Sequence, residues 1–276
     1  ASKAVKCKAA FDLHAIGIFE IIELGSGYGN RIERLKMSVR NLFYAAQGDL
    51  ILTCTPNLYW LVKLFVNHEK VIDVTGMVDL NLFATDDIKK NSFNDHKPRV
   101  FYIGNYYKWQ GVELFLNAIE HVIQKTDRFE FYILGSLGKE QASKVINHPM
   151  IKQGKVKLLE RVAHDQVPEY MQSADILVIP RPWMLSSYFG FPSKLCEYMA
   201  SGKFIIATDI SPHRWALKHP ECGLLCFPSS KGLAEAIFRY DPDKAVVLAE
   251  AARKKARECF DYIKQCSIIY RAFEAN

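Results

Sequence analysis

From Pro98 to Thr208 the chain alternates short, nearly continuous apolar runs with segments of helical periodicity, and no other feature limits the fold as strongly. Residues 99–103, 129–134, 155–159, 175–179 and 203–208 have the length and β-branched content of strands buried on both faces. Between the first two, residues 111–123 place Val112, Phe115, Leu116, Ile119 and Val122 at the three-and-four spacing of one buried helix face. Helices are also expected at 139–146 and 167–172. Strands covered on both sides and joined by helices predict an α/β domain with a doubly wound parallel sheet. Such sheets bind their ligands beyond the carboxyl ends of the strands.

The segment that follows 175–179 reads as strand, loop and helix start. Pro192 and Ser193 stand at the helix opening, where free backbone N–H groups and the positive end of the dipole suit a phosphate. Lys194 adds a mobile cation. Glu197 lies one turn further along the same face and can accept from two vicinal hydroxyls, such as those of a ribose. The bland alternative for Glu197 is a surface carboxylate. Together the residues describe a nucleotide-diphosphate site.

A length of 276 residues allows two ordinary domains. The polar, aperiodic stretch 84–97 reads as the linker between them. Residues 1–92 are expected to form a partial N-terminal Rossmann-like domain, with strands at 9–13, 49–54 and 71–75 and helices at 31–46 and 57–66. Residues 97–261 form the second domain. A final helix in 262–276 is assigned to pack on the first. In 30–43, Ile32, Leu35, Val39 and Leu42 share one side, with Arg31, Arg34, Lys36 and Arg40 around them. The default reading is an ordinary packed helix; the alternative is a basic amphipathic helix lying on anionic lipid.

The net charge of +6 favours anionic partners without choosing among nucleotides, lipid phosphates, membranes and nucleic acid. Basic residues are scattered, with no recognition-helix, zinc-finger or RNP-type pattern, so nucleic acid is not an expected partner. No run of about 18 uncharged apolar residues occurs, and the first residues lack the apolar centre of a secretory signal. Seven cysteines without a C-x2-C pair read as free thiols in a reducing cytosol. Cys222 and Cys226 flank a strand-like Gly223-Leu224-Leu225 and are read as core, not as a metal pair; no metal site is expected. Residues 25–29, rich in glycine, lack the G-x-G-x-x-G spacing and are read as a loop.

At this point the chain resembles the retaining glycosyltransferases of family 4, which have the GT-B architecture of two facing Rossmann-like domains. The resemblance is strongest from Pro192 to Asp209. It extends to Tyr102-Ile103-Gly104 with Trp109 to Glu113, to Ala174 through Pro180, and to Val78-Asp79 with Phe83. It implies a metal-independent, retaining transfer of a sugar from a nucleotide diphosphate sugar, either a UDP- or a GDP-sugar, to a sugar or lipid-linked acceptor in glycan, polysaccharide or glycolipid synthesis. No further cofactor is implied. Carried over by position, Glu197 resembles the carboxylate that holds the ribose, and Gly190, Pro192, Ser193, Lys194 and Leu195 the stretch that faces the diphosphate. The backbone at Arg161 and Val162 matches the seat of the base. His14 resembles a histidine that faces the sugar and leaving phosphate, so His14 and Lys194 are the expected catalytic groups.

The chain departs from the family pattern at three points. The first Glu of the family's Glu, seven residues, Glu pattern falls on Phe189. The basic pair expected after Gly104 falls on Asn105 and Gln110, leaving Lys108 and Lys194 as nearby replacements. Residues 1–84 fall short of the roughly 100 to 150 residues of an ordinary domain. The resemblance therefore implies that the first strands of that domain are missing, and a partner subunit that completes it is one expectation. An anionic membrane surface is another expected partner, placing the chain in the cytoplasm or at the inner membrane face. Two alternatives remain open: a catalytically weak nucleotide-sugar-binding module, and the donor subunit of a split transferase.

Overall fold

A computed structural model of the chain describes residues 8–13, 47–66, 68–84, 97–135 and 139–275, with helical positions 32, 33, 36, 39, 40, 43 and 44. Two compact units emerge. Ala1–Met77, Met184–Ser193 and Phe260–Asn276 form one; Val78–Trp183 and Lys194–Cys259 form the other. The first begins with β1 (Ala10–Leu13), β2 (Leu50–Thr53), α1 (Pro56–Lys63) and β3 (Val71–Asp73). The chain continues through α2 (Leu80–Phe83), β4 (Arg99–Ile103), α3 (Val112–Ile123), β5 (Glu130–Leu134), α4 (Lys139–Ile146), α5 (Pro149–Lys152), β6 (Val156–Leu159), α6 (Val167–Ser173) and β7 (Ile176–Ile179). It ends with α7 (Leu185–Phe189), α8 (Ser193–Ala200), β8 (Phe204–Thr208), α9 (Ser211–Leu217), β9 (Leu224–Cys226), α10 (Ser230–Phe238), α11 (Pro242–Cys259) and α12 (Tyr262–Ala275).

The larger unit is built on six parallel strands in the order β6-β5-β4-β7-β8-β9. Every residue of β7 and β8 is buried, which is why these strands read as unbroken apolar runs. Val112, Phe115, Leu116, Ile119 and Val122 of α3 are each at most 2% exposed, and α3 packs against α10 through Leu233 and Ile237. Full burial of a side chain of this size stabilises the fold by roughly 1.5–3 kcal/mol. At the sheet centre, Asp175 fixes how β7 meets β4. Its Oδ2 accepts from the Arg99 N–H at 2.8 Å, and its own N–H donates to the Arg99 carbonyl at 3.0 Å. Val100 then pairs with Ile176 and Phe101 with Leu177.

The smaller unit has the parallel order β1-β2-β3. Thr55 is fully buried at the start of α1 and works in two directions. Its Oγ1 accepts from the Leu58 N–H at 3.1 Å, capping the helix, and donates to the Phe189 carbonyl at 3.1 Å. Asn57 Nδ2 donates to the Tyr188 carbonyl at 3.1 Å. Phe189 and Phe191 pack on the cluster of Ile51, Cys54, Leu58, Val62 and Val71. Lys8 Nζ donates to the Phe273 carbonyl of α12 at 2.8 Å.

The packed-helix reading of 30–43 needs correction where the structure describes it. Ile32 and Val39 lie on a helix but are 63% and 58% exposed. Periodicity marks an apolar face without saying what covers it. Leu35 and Leu42, the glycine cluster at 25–29 and the linker residues 85–96 lie outside the described residues. No helix among the described residues is long and apolar enough to cross a membrane.

One glycine holds the sheet centre open to a close backbone approach. Gly111 has φ +79° at the start of α3, and a Cβ there would lie 1.8 Å from the Pro180 carbonyl oxygen beyond β7. Gly154 also has positive φ, at +66°, but has nothing within 4 Å of that position. Gly154→Ala should lower stability by about 1 kcal/mol, the strain of a left-handed Ala. Gly111→Ala should cost more than about 2 kcal/mol, since main chain must also move. Urea denaturation of both variants measures the difference, and equal losses would refute the crowding at Pro180.

Candidate functional site

In the larger sheet, the connections from β4 run towards β5 and β6, whereas those from β7 run towards β8 and β9. Helices leaving neighbouring strands in opposite directions open a crevice at their carboxyl ends, the usual ligand position in such sheets. Gly104 ends β4 there, and α8 supplies the side chains. Leu195, Cys196, Tyr198, Met199 and Ala200 are fully buried and anchor that helix. Tyr198 ties it to the tip of β4: its hydroxyl accepts from the Ile103 N–H at 3.2 Å and lies 3.3 Å from the Ile103 carbonyl, to which it donates.

That anchorage places Lys194 against β4. Its Nζ lies 5.5 Å from the centroid of the Tyr102 ring, and a Cβ on Gly104 would come within 1.8 Å of it. The absent side chain at Gly104 is what admits the ammonium. Tyr102 is itself fixed, donating its hydroxyl to the Asn105 carbonyl at 2.5 Å. Burial, and next the charge of Arg181, push the Lys194 ammonium down to about 7, with Glu197 opposing them. Lys194 is thus poised to change its charge near neutral pH.

Glu197 is 18% exposed, and its Oε1 lies 3.2 Å from His164 Nε2. His164 stands in the turn after β6, and its ring meets the buried Phe83 edge-on, with centroids 5.4 Å apart. The sequence reading missed His164. Its position two residues beyond Val162 was the available signal, because that loop was already expected to seat a base. Arg161 is exposed and Val162 half-buried at the same strand tip. Contact between His164 and Glu197 therefore brings the expected base loop to the expected ribose carboxylate.

The other expected site residues are more dispersed. Asn105 and Lys108 are exposed and Gln110 half-buried in the loop between β4 and α3. Pro192 is buried and Ser193 exposed at the opening of α8. The Gly190 N–H donates to the Ser186 carbonyl at 3.1 Å. Phe189 packs in the apolar cluster of the smaller unit, and its carbonyl accepts from Thr55. His14 lies outside the described residues. Cys222, beside β9, donates its thiol to the Pro220 carbonyl at 3.1 Å. Among the described residues no group of three or more His, Cys, Asp or Glu side chains is placed to hold a metal ion.

The Lys194 environment also sets a pH dependence of stability. Unfolded, this amine keeps its proton up to about 10.5; folded, it releases it near 7. Between those values the unfolded chain binds more protons, so this group's contribution makes stability rise with pH. Lys194→Met should therefore gain stability relative to the parent below pH 7, with the gain shrinking as pH approaches about 10. Urea midpoints across that range test this, and a constant difference would exclude the strained ammonium.

A sequence comparison with curated proteins finds no significant match. Solved structures are more informative. Sucrose-phosphate synthase from Thermosynechococcus elongatus matches with a TM-score of 0.77 at 18% identity, over 98% of this chain and 68% of that one. Anabaena Alr3699/HepE in complex with UDP and glucose matches at 0.76 and 18%, over 100% and 73%. A variant of TarM from S. aureus, in complex with Fondaparinux, alpha-GlcNAc-glycerol and UDP, matches at 0.70 and 14%, over 97% and 51%. These likenesses show an α/β fold with parallel sheets of the GT-B glycosyltransferase kind. The family profile described as glycosyl transferases group 1 matches residues 97–240, more than half of the chain and all of the strand tips described above. The chain belongs to the glycosyl transferases group 1 family.

Proposed function

We propose that the chain transfers a sugar from a nucleoside diphosphate sugar to a hydroxyl acceptor, with retention at the anomeric carbon and without a metal ion. The observation that carries this reading is the placement of Lys194 and Glu197 on one helix at the β4–β7 crevice, with His164 joining Glu197 to the loop after β6. Glu197 would hold the ribose hydroxyls, and the backbone at Arg161 and Val162 would seat the base. The acceptor oxygen forms a bond to the anomeric carbon as the bond to the diphosphate oxygen breaks. The electron pair stays on the diphosphate, and the acceptor proton passes to phosphate or solvent. Lys194 and the opening of α8 would stabilise the charge growing on the leaving group. His14 is proposed to face the sugar.

A second reading has its own support. Phe189 is an apolar anchor where the family pattern has a carboxylate, and neutral Asn105 and Gln110 stand where it has cations. A nucleotide-sugar-binding module, or the donor subunit of a split transferase, would keep Glu197 and Lys194 without those groups. Both readings require a nucleoside diphosphate. Calorimetry with UDP, GDP and ADP should find one that binds, and Glu197→Gln should weaken it about tenfold or more, the loss of one charge-assisted hydrogen bond or two. No binding of any nucleotide at millimolar concentration would sink both readings. Where one binds, release of nucleoside diphosphate from the matching sugar nucleotide with an acceptor separates enzyme from binder.

The acceptor side is proposed to meet an anionic bilayer at the cytoplasmic face. Trp60, Leu64 and Phe65 at the end of α1 are 64%, 76% and 78% exposed, with Lys63 beside them. Phe43 and Tyr44 are also exposed in the same unit. Exposed apolar side chains among basic ones suit a lipid interface. The chain should sediment with phosphatidylcholine vesicles containing phosphatidylglycerol and much less with phosphatidylcholine alone. Trp60→Ser combined with Phe65→Ser should abolish that difference; unchanged sedimentation would exclude this face.

A further inference from the structure

Glu197 is the group that the nucleotide reading assigns to the ribose, and its carboxylate is already engaged. Its Oε1 lies 3.2 Å from Nε2 of His164, and no other hydrogen bond reaches that carboxylate from the described residues. A ring nitrogen that bonds to a carboxylate carries the hydrogen, so His164 donates whether its imidazole is neutral or charged. The two partners are held differently. Glu197 is 18% exposed on α8, a helix anchored through Leu195, Cys196, Tyr198 and Met199. The His164 side chain is 67% exposed, on a turn that closes on itself: the Gln166 N–H donates to the Ala163 carbonyl at 3.1 Å, and Gln166 Oε1 accepts from the Ala163 N–H at 3.2 Å. The backbone there is tied, and the exposed ring is the part that can turn.

Two vicinal hydroxyls donate best to a carboxylate when each meets its own oxygen. That match uses Oε1, the oxygen His164 holds, so ring and ribose compete for it. An exposed pair of this kind shifts an equilibrium by up to about fivefold, so it weakens a ribose without blocking it. The ring also has a fixed wall to turn against. Phe83 meets it edge-on with centroids 5.4 Å apart, and is itself 2% exposed at the end of α2, whose first turn Asp79 caps by accepting from the Asn81 N–H at 2.9 Å.

We infer that His164 is a positioning residue that acts through Glu197: it holds the carboxylate when no nucleotide is bound, yields it to the ribose hydroxyls, and takes it back as the nucleoside diphosphate leaves. His164 thereby sets how tightly a ribonucleotide is held. The inference rests on the nucleoside diphosphate reading above and names the group that tunes its ribose contact.

The test compares UDP with 2′,3′-dideoxy-UDP, and GDP with 2′,3′-dideoxy-GDP in parallel, by calorimetry on the full chain. His164→Phe removes the donor nitrogen and keeps an aromatic ring against Phe83. It should bind the ribonucleotide about threefold more tightly than the parent and leave affinity for the dideoxy form unchanged. A ring with a purely structural role would shift both ligands alike, or neither. Imidazole nitrogen NMR of the parent adds a direct readout. The His164 signal, identified by its loss in His164→Phe, should leave its carboxylate-bonded position with the ribonucleotide and keep it with the dideoxy form. A His164→Phe chain that holds the ribonucleotide no more tightly than the parent overturns the inference and leaves the nucleotide reading standing, as does a His164 signal that ignores the ribonucleotide. Should His164→Phe fail to fold, His164→Ala decides on the same comparison. A parent that binds neither UDP nor GDP removes the nucleotide reading itself. A parent that holds ribo and dideoxy forms equally well removes the ribose from Glu197, and the competition with it.

Discussion

The pairing of β4 with β7 is the constraint from which the site follows. Two parallel strands are joined at their starts by the paired hydrogen bonds of Asp175 with Arg99. Beyond that register their connections run in opposite directions along the sheet, which opens a crevice over their tips. Gly104 and Gly111 then keep that space narrow, one by admitting an ammonium and the other by admitting a carbonyl. The crevice is therefore a product of strand order and two missing side chains, not of a flexible loop. Tyr198 extends the constraint to α8, because its hydroxyl bonds to both the N–H and the carbonyl of Ile103.

Burial and a neighbouring cation act together on one amine at this place, with Glu197 opposing them. Lys194 is half-buried beside an aromatic face with a second cation's field upon it, and its ammonium is correspondingly weakened. Folding alone would not select such an arrangement, since a neutral side chain of the same size would pack there at lower cost. On the proposed nucleotide reading, an arriving anion would offset that cost. Arg214 and Asp209, by contrast, neutralise each other near the surface and ask for no ligand.

Much of this was legible in the order of residues. Nearly continuous apolar runs locate β4, β7 and β8, and a three-and-four spacing locates α3, because burial is what hydrophobic patterns record. That Glu197 shares one helix with Ser193 and Lys194 was legible in their spacing. Three things were not. α7, α9 and α10 are short or of mixed polarity, and their faces are defined by partners distant in sequence. His164 looks like an ordinary loop residue until the sheet brings its strand tip beside α8. The exposure of Ile32 and Val39 was invisible for a related reason: an apolar stripe announces a partner without naming it.

The imidazole of His164 already occupies the carboxylate of Glu197, and Phe83 supports it from behind. Sugar hydroxyls arriving at that oxygen would not enter a vacancy; they would evict a resident. Part of any attraction between guest and carboxylate is then spent on the displaced ring, so the measured grip understates the strength of the bonds that form.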